Sequence, residues 1–196
     1  LLTDTAGDSN ARHYTIAKLW FPYGEYLVTS TLDFTSIREI GSQVQCDGVI
    51  TGKTSGSPVI DASDSVHIQW NYLNIQSPTA ATAPNVGIFF SRSTTRGAGI
   101  QTFLCPRIQG HFSIAPWYNY ACEETRCLAP TFWNYYTSGT PLTFYQVGEN
   151  VASLTSTFIT TTTGTHGMGV SHFDQANLRC INAGYIGRID GVQGFR

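Results

Sequence analysis

The chain has 196 residues, only 12% of them charged, and a formal net charge of −2. That balance excludes a basic nucleic-acid module, an acidic tail and a charge-rich linker, each of which needs a strong excess of one sign. Disorder is excluded too, because 41% hydrophobic and 13% aromatic residues supply enough apolar surface to offset chain entropy.

In chain order, residues 1–12 read as a polar linker into the fold and 13–196 as a single β-rich domain. The opening Leu1-Leu2-Thr3 lacks Met, a basic n-region and a long apolar run, so the sequence reads as a piece of a longer chain without a signal peptide or membrane span. Short extended runs follow at 14–20, 26–32, 45–51, 66–73, 86–92, 99–105, 110–115, 131–136, 142–147, 151–163 and 179–185. In 66–73, Val66, Ile68, Trp70 and Tyr72 fall on one face and His67, Gln69 and Asn71 on the other. Turn clusters such as Pro22-Tyr23-Gly24, Ser77-Pro78-Thr79 and Ser138-Gly139-Thr140-Pro141 punctuate them. Short helices are expected only over 34–40, from the capping-box spacing of Ser36 and Glu39 before Gly41, and near 173–178. The 25 Thr and 16 Ser against two Lys favour extended backbone in the same way. Together these predict an all-β fold, an antiparallel sandwich, jelly roll or barrel with at most one or two short helices.

Catalytic patterns are weak. Thr54-Ser55-Gly56-Ser57-Pro58 looks like a serine-protease nucleophile segment, but Thr54 replaces the Asp that precedes that nucleophile and only His13 lies upstream. Ser171, His172 and Asp174 gather three catalytic residue types in four positions; a polar turn after the Thr-rich run accounts for them better, and a hydrolase using them is a third reading. No zinc-type spacing or phosphate-binding loop occurs, so neither metal nor cofactor is expected and the chain is not read as an enzyme. Five cysteines leave at least one unpaired, with Cys122 and Cys127 a possible disulfide.

Three triplets, Trp70-Asn71-Tyr72, Tyr118-Asn119-Tyr120 and Trp133-Asn134-Tyr135, pair two aromatics with an amide. Aromatics on one strand face can stack on a sugar while amides bond its hydroxyls, or can anchor a protein interface; they can equally form a core. Trp117, Tyr118, Tyr120, Trp133 and Tyr135 are the candidate ligand- or receptor-binding residues.

The Thr/Ser-rich run 151–163, the aromatic-Asn segments 111–120 and 129–136 and the Gly-rich end 184–194 give the chain a resemblance to the protruding, or spike, domain of small non-enveloped RNA virus capsids of the sinaivirus, nodavirus and astrovirus type. The resemblance implies a domain on the virion surface that associates with copies of itself as a dimer or trimer. It further implies contact with a host receptor or glycan, without direct nucleic-acid contact or membrane insertion. A secreted, non-viral carbohydrate-binding β-sandwich is the alternative.

Overall fold

A computed structural model of the chain describes residues 18–35, 37, 41–91, 99–120, 122, 124–147, 170–180, 187–190 and 194–195. Strands come in threes. β1 (Lys18–Phe21), β2 (Glu25–Val28) and β3 (Leu32–Asp33) make the first coil, and β4 (Gln43–Cys46), β5 (Val49–Gly52) and β6 (Ile60–Asp61) the second. β7 (Gln69–Asn71), β8 (Asn74–Ser77) and β9 (Val86–Ser91) follow, then β10 (Gln101–Leu104), β11 (Arg107–Gly110) and β12 (Ala115–Tyr120). The fifth coil is β13 (Glu124–Leu128), β14 (Thr131–Asn134) and β15 (Phe144–Val147); the sixth is β16 (Val170–Asp174), β17 (Asn177–Cys180) and β18 (Gly187–Asp190), before β19 (Gly194–Phe195).

Every third strand pairs, always in parallel, which generates three sheets in the orders β1-β4-β7-β10-β13-β16-β19, β2-β5-β8-β11-β14-β17 and β3-β6-β9-β12-β15-β18. The chain therefore winds as a three-walled parallel β-solenoid. Side-chain hydrogen bonds between successive coils, Thr51 to Glu25 and Thr31 to Pro58, join residues 26 and 27 apart, within the period expected of solenoids.

This corrects the expected antiparallel sandwich, jelly roll or barrel. Strand content is as the composition predicts, but consecutive strands do not pair with each other. The reason lies in the corners between the first and second sheets, where a two-residue turn passes the chain to the next wall instead of reversing it. Tyr72, Cys105, Ala129 and Gln175 open four of these corners with φ of 56°, 48°, 49° and 54°, in the left-handed region. Each of the first three donates its N–H to the strand end one coil further on: Tyr72 to Leu104 O, Cys105 to Leu128 O and Ala129 to Asp174 O, at 2.7–2.8 Å. Asp47-Gly48 forms the corresponding corner inside the expected 45–51 strand. A Cβ on Gly48 would lie 2.5 Å from Pro22 O, so only glycine fits there.

Other boundaries shift for local reasons. His67 and Tyr72, both at positive φ, cut the expected 66–73 strand down to Gln69–Asn71 and turn Tyr72 off the shared face, leaving it 50% exposed. The helix expected at 173–178 does not form, and the one expected at 34–40 lies mostly outside the described residues. Asp33 Oδ1 captures the Thr35 N–H at 2.8 Å in a tight turn, and 173–178 is the end of β16, a corner and the start of β17. A 3₁₀ turn at Ala80–Thr82 is the one helical segment among the described residues. The linker 1–12 and the Thr-rich run 151–163 lie outside them.

Inward positions repeat from coil to coil, so like side chains stack in ladders. The second sheet carries Tyr26, Ile50, Ile75, Ile108, Phe132 and Leu178 in register. The first carries Val44, Trp70, Phe103, Cys127 and Phe173, and the third Leu32, Ile60, Ile88, Trp117 and Phe144. Rings from different walls meet at the axis, Phe103 and Trp117 at 4.7 Å and Trp117 and Phe132 at 5.4 Å. Each fully buried large side chain contributes roughly 1.5–3 kcal/mol by its removal from water.

Candidate functional site

The five aromatic candidates divide by wall and by face. Trp117 is fully buried on the inner face of the third sheet, and Tyr118 and Tyr120 are buried in a second apolar cluster with Phe89, Leu142 and Tyr145. These three are packing residues, enclosed because β12 is covered on both faces. Trp133 and Tyr135, on the second sheet and just beyond it, are only half-buried. The amides of the triplets also turn to structural work. Asn134 accepts from the N–H groups of Phe112 and Tyr136 and donates to Phe112 O and Leu142 O, tying two corners to β14. Asn119 Oδ1 accepts from Cys122 N.

Beside Tyr135 the second sheet forms a recess of about 200 Å³, lined also by Gln76, Ser77, Gln109, Gly110 and His111. The in-register outer row is Gln76, Gln109, Trp133 and Arg179, on β8, β11, β14 and β17. Trp133 Nε1 donates to Asn177 Oδ1 at 3.3 Å, and the Arg179 guanidinium lies 5.8 Å from the Trp133 ring centre, a cation–π contact that fixes the indole plane. Tyr135 is held by its N–H to Gly110 O at 2.7 Å, with its ring 6.4 Å from Trp133 and 6.3 Å from His111. Gly110, at φ 131°, forms the floor. A Cβ there would sit 2.2 Å from Ser77 O, so the close approach of β8 and β11 requires glycine.

Three of the residues that line this recess carry a buried side-chain atom without a hydrogen-bond partner: Ser77 (Oγ), Gln109 (Nε2) and His111 (Nδ1). Ser77 and Gln109 are themselves 1% and 8% exposed. Each unsatisfied group costs about 1–3 kcal/mol, which a ligand supplying hydroxyls would offset. The Ser77 hydroxyl does not bond the His111 ring, although His111 N–H donates to Ser77 O at 2.9 Å, so a nucleophile and base are not paired here. Sequence reading passed over Ser77 and Gln109, because nothing local marks a Gln that becomes significant only when coiling stacks it beside Gln76 and Trp133.

The remaining candidates do not converge. On β16 His172 and Asp174 lie two apart and Phe173 between them packs onto the core, so extended backbone puts His172 and Asp174 on the face away from it, while the Ser171 side chain lies outside what is described. Cys122 and Cys127 are both buried as thiols rather than joined, and burial pushes the Cys127 thiol well above its ordinary pKa. Ser55 sits in an exposed turn at the corner after β5, with Thr54 Oγ1 donating to Ser57 O. Among the described residues no group of three or more His, Cys, Asp or Glu could hold a metal, and no helix is long and apolar enough to cross a membrane.

Comparison of the chain with protein-family models, with curated proteins and with solved structures gives no match.

Proposed function

We propose that the chain is a carbohydrate-binding attachment module whose ligand docks on the outer wall of the second sheet. The observation that carries this reading is that three residues lining one recess beside Tyr135 carry partnerless buried polar atoms, with Trp133 next in register to one of them, Gln109. Sugar rings present hydroxyls at their edges and an apolar C–H face, which matches orphaned donors and acceptors beside half-buried aromatic rings. The resemblance to capsid projections supplies a setting: a virion-surface module engaging a host glycan, with copies side by side so that modest single-site affinities add. A secreted module would use the same recess.

A glycan array followed by calorimetry tests it. Trp133→Ala and the pair Ser77→Ala/Gln109→Met are expected to lower glycan affinity at least tenfold. Because the pair removes unsatisfied groups, its melting temperature should stay level or rise. Glycan binding unchanged in both variants, or no glycan bound by the parent chain, would overturn the reading.

A further inference from the structure

The two ends of the same strands carry two recesses. Beyond the first, at the corner where β7 passes into β8 and β10 into β11, lies another of about 320 Å³, lined by Asp47, Asn74 and Arg107 with Tyr23 and Tyr72 at its edge. Tyr23 is 93% exposed and Tyr72 50%, so both rings are open to a ligand. Asp47 is set rigidly by two donors, Gln45 Nε2 to Oδ1 at 2.6 Å and Trp20 Nε1 to Oδ2 at 2.7 Å, and these hold its carboxyl below the usual carboxylate range. Each carboxylate oxygen retains capacity for a further hydrogen bond. Asn74 Oδ1 is buried without a partner. Arg107 is exposed, and among the described residues no carboxylate ion-pairs with it, although Asp47 lines the same recess.

A fixed carboxylate and an orphaned amide oxygen are acceptors suited to a pair of hydroxyls. An uncompensated guanidinium is a fork suited to a carboxylate or sulfate. From this pairing of hydroxyl acceptors with an unpaired guanidinium, we propose that the Asp47–Asn74–Arg107 recess is a second subsite, taking an anionic sugar unit. Its acid group lies on Arg107, its hydroxyls on Asp47 and Asn74, and its C–H face against Tyr23 or Tyr72.

The subsite lies in line with the first along the same two strands. Asn74 and Gln76 lie two residues apart on β8, and Arg107 and Gln109 two apart on β11, about 7 Å along each strand. One oligosaccharide crossing the second sheet parallel to its strands reaches both, with its anionic unit at the Arg107 end. This inference rests on the carbohydrate reading above and adds the charge and direction of the chain that is bound.

The test measures the intact chain and its Arg107→Gln, Arg107→Lys and Gln109→Met variants against three probes: a neutral oligosaccharide, a carboxylated one and a sulfated one. The parent is expected to favour a charged probe over the neutral one by at least tenfold, with carboxylate and sulfate arms naming the acid group. Arg107→Gln should remove that preference while leaving neutral binding intact. Arg107→Lys should restore part of it, and Gln109→Met should weaken all three probes. Thermal melting confirms that each variant is folded, as expected for the exposed Arg107 side chain and for a buried Gln109 whose unpartnered amide is replaced by an apolar group. Equal affinity for charged and neutral probes, or a preference that survives Arg107→Gln, overturns the second subsite alone. Failure of every probe to bind overturns the carbohydrate reading and this inference together.

Discussion

Trp117 and Trp133 are sixteen positions apart and chemically identical, yet one is sealed at the axis and the other lies on the outer wall. Alternation along each strand decides this, and alternation can be read only once the strand's wall is known. The sequence shows that both lie in aromatic runs; it does not show which parity faces inward, because β14 has only four residues and β12 is apolar on both faces. The same limit hid Gln109 and revealed Tyr135. At the residue scale the clearest titration is that of Asp61, half-buried on β6, whose carboxyl is pushed above its ordinary range by burial and by the nearby charges of Asp33 and Asp64, against hydrogen bonds from Ser63. A raised folded-state pKa means that the folded chain binds more protons than the unfolded one between the ordinary carboxylate pKa and the raised value. Stability from this group is therefore present at low pH and lost as pH rises through that window. Asp61→Asn, which keeps the oxygen that accepts from Ser63, is expected to raise the melting temperature at pH 7 by ~2 °C or more and to flatten its acid-side rise. A pH series of thermal melts on both proteins checks it, and a lower melting temperature for the variant at pH 7 would contradict the assignment.

At the scale of the element, the repeated device is the two-residue corner between the first and second sheets. Left-handed φ costs an L-residue roughly 1–2 kcal/mol, and the chain accepts it at Tyr72, Cys105, Ala129 and Gln175 because the N–H there bonds the next coil, as it does at the first three. Pro106 and Pro130 stand second in two of these corners, where a residue without an N–H ends the strand cleanly. The expected run 99–105 ends at Cys105 and the run 131–136 starts just after Pro130, so corner positions were partly legible. Their geometry was not, since neither Cys nor Ala advertises a left-handed conformation. Gln175 is exposed, so Gln175→Gly should relieve backbone strain without loss of packing. The expected gain is about 0.5–1 kcal/mol after the greater freedom of glycine in the unfolded chain is subtracted, measured by urea unfolding. A loss of stability instead would show that the Gln175 side chain holds the corner.

For the whole molecule, stacking makes each coil depend chiefly on its neighbours, and stability is expected to vary along the axis. Trp117 touches Phe90, Phe103, Phe132 and Phe173, four rings drawn from four successive coils. Trp117→Ala should cost about 3–5 kcal/mol, and the cost should be felt most near the fourth coil. Two buried thiols report this: Cys127 in the adjacent fifth coil and Cys46 in the second, both held above the ordinary thiol pKa by burial. In Trp117→Ala, thiol labelling of Cys127 should begin at lower urea than labelling of Cys46, whereas exposed Cys105 reacts in the native state of both proteins. Simultaneous exposure of Cys46 and Cys127 would mean a single cooperative unit. Strand richness was legible from Thr, Tyr and Phe content, but the parallel pairing was not. Register across sequence separations near 26 residues leaves no local mark, and unequal connections between coils blur the repeat.

The corners at Cys105 and Ala129 share one backbone state and one hydrogen-bonding pattern, each closing onto the strand of the following coil. A cut made at both and rejoined, Leu104 to Ala129, removes one complete circuit and leaves the strands on either side in register. The same operation in reverse inserts a circuit. Proteins wound in this way can lengthen or shorten by recombination at equivalent corners while their cross-section stays the same, so the length of each outer wall is a heritable variable separate from the chemistry of that wall.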